Sequence, residues 1–274
     1  MSKQAGGKAV FAFAILLAGL PASAQGVLDA VIDGETFRAD IAAGDVAATL
    51  TIRFENVVGL SAASLNVSVR TADPLTLAPR LGGASLPAAF PLVVRIEPPA
   101  SGGLSFSGVV SVELYTHDLQ YTVGSPLRLY SAPLGGEFTD ITTSLASGSV
   151  RTGGSKPDFS EFLIAADLRP LGTVIDLKYA QLGDALTRHA GAISADVLAE
   201  LHGLRNASLQ SYRQGAHAAA ITYIEAFAEK VKVASGRDIP DVWRSSRDLT
   251  NAAGVLRSAA ATLRFSLTLA SNAS

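Results

Sequence analysis

Apolar and polar positions alternate with a period of two along the first half of the chain. Leu50, Ile52 and Phe54 are interleaved with Thr51, Arg53 and Glu55. Leu65, Val67 and Val69 alternate with Asn66, Ser68 and Arg70, and Leu92, Val94 and Ile96 with Val93, Arg95 and Glu97. Val110, Val112 and Leu114 alternate in the same way with Ser111, Glu113 and Tyr115. A period of two turns one side of a strand toward a core and the other toward water. Runs at Leu127 to Tyr130 and Phe159 to Ala166 continue the series. Asp33-Gly34, between Val31-Ile32 and Thr36-Phe37, is a strong hairpin signal. Asp73-Pro74, Gly82-Gly83, Pro98-Pro99, Gly102-Gly103 and Gly135-Gly136 punctuate the rest. Many short strands joined by such turns predict an antiparallel β-sandwich, with a small barrel as the competing closure.

From about Thr173 the period lengthens to that of a helix. A short helix around Ile175 to His189 is expected to join the halves. Val197, Leu201, Leu204, Ser208 and Tyr212 share one face of the next helix, with Ser194 at the cap, Asp196 in the first turn and Gly215 as the stop. Ala220, Ile224, Phe227 and Val231 mark a helix from Ala216 to Ala234, ended by Ser235-Gly236. Asp238-Ile239-Pro240 reads as the opening of the last helix, with Pro240 in its first turn. Its inward stripe would be Val242, Leu249, Ala253, Leu256, Ala260, Leu263 and Leu267, with Trp243 over the bundle end. Short connections imply an antiparallel bundle. The fold class is therefore α+β with segregated halves, a β-sandwich over 25–170 and a helical bundle over 171–274.

Residues 1–24 carry a different pattern. Lys3 and Lys8 precede an apolar run from Ala9 to Leu20 broken only by Gly19, and Pro21-Ala22-Ser23-Ala24 follows. This order is that of a secretory signal, with cleavage between Ala24 and Gln25. The run has about half of the ~20 apolar residues a membrane span needs. A periplasmic or extracellular destination is expected, with no stable membrane insertion after cleavage, and the Ala-rich composition suits a bacterial source.

Composition narrows the function classes. Hydrophobic residues make up 48% and charged residues 17%, which suits a packed core rather than disorder. A net charge of −2 supplies no basic excess for nucleic acid or for an anionic membrane surface. The chain has no cysteine. Disulfides, a thiol nucleophile and cysteine-ligated metal are therefore excluded.

Candidate chemistry is sparse. His117, His189, His202 and His217 form no HExxH or other close ligand pair, although His202 and His217 lie on adjacent predicted helices. Asp29, Asp33, Gly34 and Asp40 echo a calcium loop, but Val31 occupies a ligand position and Asp40 stands where a bidentate Glu is needed. Gly103-Leu104-Ser105-Phe106-Ser107-Gly108 is not a nucleophile elbow. Glu97, Glu113 and Glu161 would have to converge through the fold to act as a glycosidase pair. Tyr115, Tyr121 and Tyr130 are candidates for sugar platforms or, more simply, for edge packing. No catalytic residue, cofactor or metal ligand is assigned. The reading is an exported, non-catalytic binding or scaffolding protein whose partner is a protein or glycan of the cell envelope or exterior. A secreted hydrolase with fold-assembled carboxylates, or a structural envelope partner, is the alternative.

Two segments carry a resemblance. Leu127 to Tyr130, Gly136-Glu137-Phe138-Thr139-Asp140-Ile141-Thr142 and Phe159 to Ile164 resemble the closing strands of β-sandwich modules in bacterial extracellular proteins. Leu201-x-x-Leu204, Tyr212-x-x-Gly215, Ala219-x-x-x-Tyr223-Ile224-x-Ala226-Phe227 and Val231 resemble the FIMAH-type helical module of secreted bacterial proteins, with a longer last helix here. The whole is similar to uncharacterised exported proteins that join such halves. The resemblance implies no catalytic residues.

Overall fold

The computed structural model describes residues 26–122, 124–146 and 149–273. The expected signal segment and its Ala24–Gln25 cut lie outside these residues.

Among the described residues, twelve strands and four long helices build the fold. The strands are β1 (Gly26–Asp33), β2 (Thr36–Ala43), β3 (Val46–Val58), β4 (Val67–Thr71), β5 (Leu92–Ile96), β6 (Ser105–Gln120), β7 (Leu127–Ala132), β8 (Thr139–Asp140), β9 (Thr142–Ala146), β10 (Ser149–Lys156), β11 (Glu161–Ala166) and β12 (Val242–Arg244). They form two antiparallel sheets. One runs β1-β2-β3-β6-β10-β9, with β12 also paired to β6, and the other runs β4-β5-β11-β7-β8. The sandwich core draws on both, with Phe37, Leu50, Ile52, Val110 and Val112 facing Leu92, Val94, Leu129, Phe162 and Ile164. Burying each such side chain contributes about 1.5–3 kcal/mol. The hairpin expected at Asp33-Gly34 is present, with Asp33 opposite Thr36 and Gly34 at φ +54.

The five-stranded sheet is covered on its outer side as well. Short helices α1 (Ala62–Leu65) and α2 (Pro74–Leu77) lie in the connections. Asp73-Pro74 begins α2 rather than making a simple turn, with the Asp73 carboxylate accepting from the Leu75 amide. Leu77, Leu81 and Leu86 pack onto Val93, Tyr130 and Leu163, which explains why β5 and β11 are apolar on both faces.

The bundle comprises α3 (Leu171–His189), α4 (Ala195–Arg213), α5 (His217–Ala234) and α6 (Ala252–Ala273). The expected stripes meet in one core, with Leu201, Ala220, Ile224, Phe227, Val231, Leu256, Ala260 and Leu263 buried together. Ser194 occupies the cap position of α4, but its side chain makes no capping bond. Helix α3 is not a mere connector. Ile175, Tyr179, Leu182 and Leu186 are part of the bundle core.

The expected start of the last helix is corrected. Val242–Arg244 is a strand, and the helix begins at Ala252. Strand β10 pairs with β6 only from Val110 onward, which leaves an open edge at Ser105–Ser107. Strand β12 fills that edge, with Val242, Trp243 and Arg244 opposite Ser107, Phe106 and Ser105. Pairing there satisfies backbone groups that an early helix would leave unmatched in the sheet. Trp243 accordingly packs in the sandwich, stacked on Phe106 at 5.1 Å and edge-on to Phe159 at 5.5 Å, not over the bundle end. Leu249, expected inward, is 40% exposed.

Candidate binding site at the sandwich–bundle junction

The junction is held by helix α6, which is buried on two sides. Leu256, Ala260, Leu263 and Leu267 face the bundle. Ser258, Thr262 and Ser266, spaced by four, form a second buried row. A four-residue spacing places them on one face. This helix meets the larger sheet at β10, β9 and β6.

Three polar clamps fix that approach. Lys178 of α3 is fully buried, and its Nζ donates to Asp140 Oδ2 at 2.6 Å, Thr262 Oγ1 at 2.7 Å and Ser266 Oγ at 2.8 Å. Burial pushes the Lys178 ammonium below the ordinary lysine range, against the pull of Asp140. Arg257 of α6 makes a bidentate pair with Glu55 of β3, at 2.6 and 2.7 Å. Against Glu55 sits Gly108, at φ +78, where a β-carbon would collide with the Glu55 carboxylate. Its N–H donates to the Asp241 carbonyl at 3.1 Å, and its carbonyl accepts from Asn251 Nδ2 at 2.6 Å. Residues flanking β12 thus satisfy the backbone where β6 bulges.

A cleft of about 470 Å³ opens beside β12. Trp243 and Phe159 floor it, Pro133, Leu134, Pro157 and Leu249 wall it, and Arg247 and Asp158 stand at its rim. Leu134 and Leu249 are 41% and 40% exposed, so the cleft presents apolar surface to water. Asp158 is paired with Lys156 at 2.9 Å. Arg247 is different. It lies at φ +59, held by a bond from its amide to the Arg244 carbonyl at 2.9 Å. A left-handed non-glycine residue costs about 1–3 kcal/mol and is sustained only by its surroundings. Among the described residues its guanidinium has no carboxylate partner. No sequence signal announces this cleft, because Trp243, Arg247 and Leu249 fall within the span that reads as helix.

The residues singled out from sequence do not gather into a catalytic centre. Glu97 pairs with Arg95, Glu113 with Arg151 at 3.5 Å, and Glu161 with Arg70 and Arg80 at 3.3 and 2.5 Å. Burial opposes ionisation of Glu161, but hydrogen bonds and charge from Arg80, then Arg70, hold it below the usual carboxylate range. Tyr130 is buried and cannot serve as a platform. Its hydroxyl donates to Asp167 Oδ2 at 2.7 Å, and burial together with that carboxylate pushes the phenol far above its ordinary value. Arg169 closes the network with bonds to both Asp167 oxygens at 2.8 and 2.6 Å. Tyr115 packs against the His117 ring and beneath the Arg151 guanidinium. Tyr121 lines a second cavity of about 300 Å³ with Arg128 and Asp167. His217 stacks on Tyr212 at 5.9 Å, His202 is partly buried on α4, and burial lowers the His189 pKa. Among the described residues, no group of three His, Asp or Glu side chains is placed to hold a metal ion. Asp29 and Asp40 are cross-strand partners in the first hairpin, and Asp40 accepts from Thr49 Oγ1 at 2.8 Å. Among the described residues no helix is long and apolar enough to cross a membrane.

The chain belongs to a family of unknown function, DUF6689, whose model matches residues 12–271 and so runs through both halves. No curated protein matches the chain.

Proposed function

We propose that this family member is an exported, non-catalytic binding protein that takes its partner in the cleft floored by Trp243 and Phe159. The carrying observation is the coincidence of exposed Leu134 and Leu249 with the left-handed Arg247, which is exposed and has no carboxylate partner among the described residues. Apolar walls with one exposed charge at the rim suit a partner that brings an apolar side chain and a carboxylate together. An extended acidic segment of an envelope or extracellular protein has that chemistry. Trp243 is only 8% exposed, which favours such a segment over a sugar stacked on its face. Pairing of Glu97, Glu113 and Glu161 with arginines argues against the hydrolase reading.

Export rests on the Lys3 and Lys8 start, the Ala9 to Leu20 run and the Ala24–Gln25 cut, which leaves β1 intact from Gly26. The likeness to modules of secreted bacterial proteins supports the same destination, periplasmic or extracellular. The binding test is selection of displayed peptides on the processed chain, beside a glycan array. Peptides joining an apolar residue to Asp or Glu should be enriched and should shift Trp243 fluorescence. Arg247→Glu and Leu249→Lys should each abolish the shift without lowering the melting temperature. Enrichment of neutral or basic peptides, or glycan binding unaffected by these variants, would overturn the assignment.

A further inference from the structure

The seven-stranded sheet is wider than its partner, and its first strand is an edge. Strand β1 pairs with β2 and, among the described residues, with nothing on its other side. Val27, Ala30 and Ile32 stand opposite Ile41, Ala39 and Phe37, three buried residues of β2. That row of β1 therefore faces the core side, where β4 lies across from it, yet Val27 and Ile32 are still 36% and 41% exposed. Leu28, at the bulge, is 52% exposed, and Val31, on the other face, 64%. An eight-residue edge with four exposed aliphatic side chains is a template for strand addition.

From this edge we infer that two copies of the chain pair through β1, antiparallel, about a two-fold axis at Ala30. Register decides the occupant. With Ala30 opposite itself, Leu28 meets Ile32 of the second copy and Asp29 meets Val31. An axis at Val31 would set Asp29 against Asp33, and one at Asp29 would oppose two identical carboxylates. Like charges directly opposite are destabilising, so the Ala30 register is selected. It also creates a charge match. Arg38 sits beside Val31 in β2, so Asp29, Val31 of the second copy and Arg38 of the second copy fall in one cross-strand row. Two strand spacings of about 4.8 Å separate their backbones, a span that an arginine side chain bridges. Asp29 and Arg38 are both exposed and, among the described residues, neither has an ionic partner within its own chain. The two-fold makes the pair twice.

The chain has no cysteine, which makes a cross-linking test clean. Ala30→Cys in the processed chain should form an intermolecular disulfide on mild oxidation, because facing residues of an antiparallel pair lie about 4.5–5.5 Å apart between α-carbons. Asp33→Cys, distant from its own copy in this register, should not. By light scattering the unmodified chain should have twice the monomer mass. Asp29→Arg and Arg38→Asp should each weaken the dimer at least about tenfold, while an equimolar mixture of the two should form a heterodimer. A monomer at the highest soluble concentration, or equal cross-linking of both cysteine variants, would overturn the inference. So would unpaired chains in the mixture when each variant alone keeps its far-ultraviolet spectrum. A photo-cross-linker attached to the thiol of the unprocessed Ala30→Cys variant that captured residues 1–24 of the same chain would assign the edge to that segment instead.

Discussion

Lys178 Nζ lies 2.6 Å from Asp140 Oδ2, with both side chains at least 96% shielded from water. One belongs to helix α3 and the other to strand β8, so a buried ion pair ties bundle to sandwich. Its geometry is completed by Thr142, whose amide and hydroxyl donate to Asp140 Oδ1 at 2.8 and 2.6 Å. Lys178→Met should cost about 3–5 kcal/mol, because it leaves a buried carboxylate uncompensated. The double variant Lys178→Met/Asp140→Asn keeps the acceptor for Thr142 and removes both charges. It should recover most of the loss in urea unfolding. Additive losses in the pair would show that the two groups act independently.

Acid should destabilise the fold through Glu161 and Asp167. Burial opposes the ionisation of each, but Arg80 and Arg70 around Glu161, and Arg169 with Tyr130 around Asp167, lower both pKa values below those of the unfolded chain. For a depressed carboxylate the unfolded state binds more protons in the window between the two values, so stability rises with pH there. The contribution is present above the unfolded values of 4.5 and 3.8 and is lost as pH falls through the folded ones. Melting temperature should therefore drop on acidification below about pH 4.5. Glu161→Gln should flatten the upper part of that slope, and an unchanged slope would remove Glu161 from the account.

Trp243 reports on cooperativity because it is the single tryptophan and sits in a strand contributed by the helical part of the chain. If β12 and α6 bind the halves as tightly as the Glu55–Arg257 pair and Asn251 suggest, the whole molecule unfolds together. Trp243 fluorescence and helical circular dichroism should then share one denaturant midpoint. An earlier fluorescence transition would mean that β12 detaches while the bundle stands.

Leu256 lies at the centre of the bundle and is wholly buried. Leu256→Asp should destabilise the bundle by at least ~3 kcal/mol, combining the lost apolar burial with a charge that has no partner. An unchanged melting curve would place that residue outside the core.

The same residue illustrates what could be read in advance. Leu256, Ala260, Leu263 and Leu267 repeat at helical spacing, as do Ala220, Ile224, Phe227 and Val231, and those stripes are the bundle core. Alternation in β3 and β6 was equally legible, since one row of each is buried and the other is not. Strand β12 was not legible. Three residues have no period of their own, and Val242 and Leu249 happened to fall in step with the helix that follows. The row of Ser258, Thr262 and Ser266 was invisible for another reason, because a search for apolar periodicity passes over buried hydroxyls. The candidate cleft inherits the first of these blind spots. Its floor and rim come from β12 and the turn after it, whose left-handed Arg247 carries no glycine to announce it.

Strand β6 runs through the middle of the larger sheet, yet its Ser105–Ser107 end is paired by residues 242–244. A ribosome delivers those residues long after it has delivered β6. The carbonyl and amide of Gly108 likewise wait for Asp241 and Asn251. The sheet is consequently left unfinished until residues 242–244 have been made, and the last seam of the sandwich waits for a strand that lies beyond three of the bundle helices. Any chain truncated before residue 242 keeps that seam open.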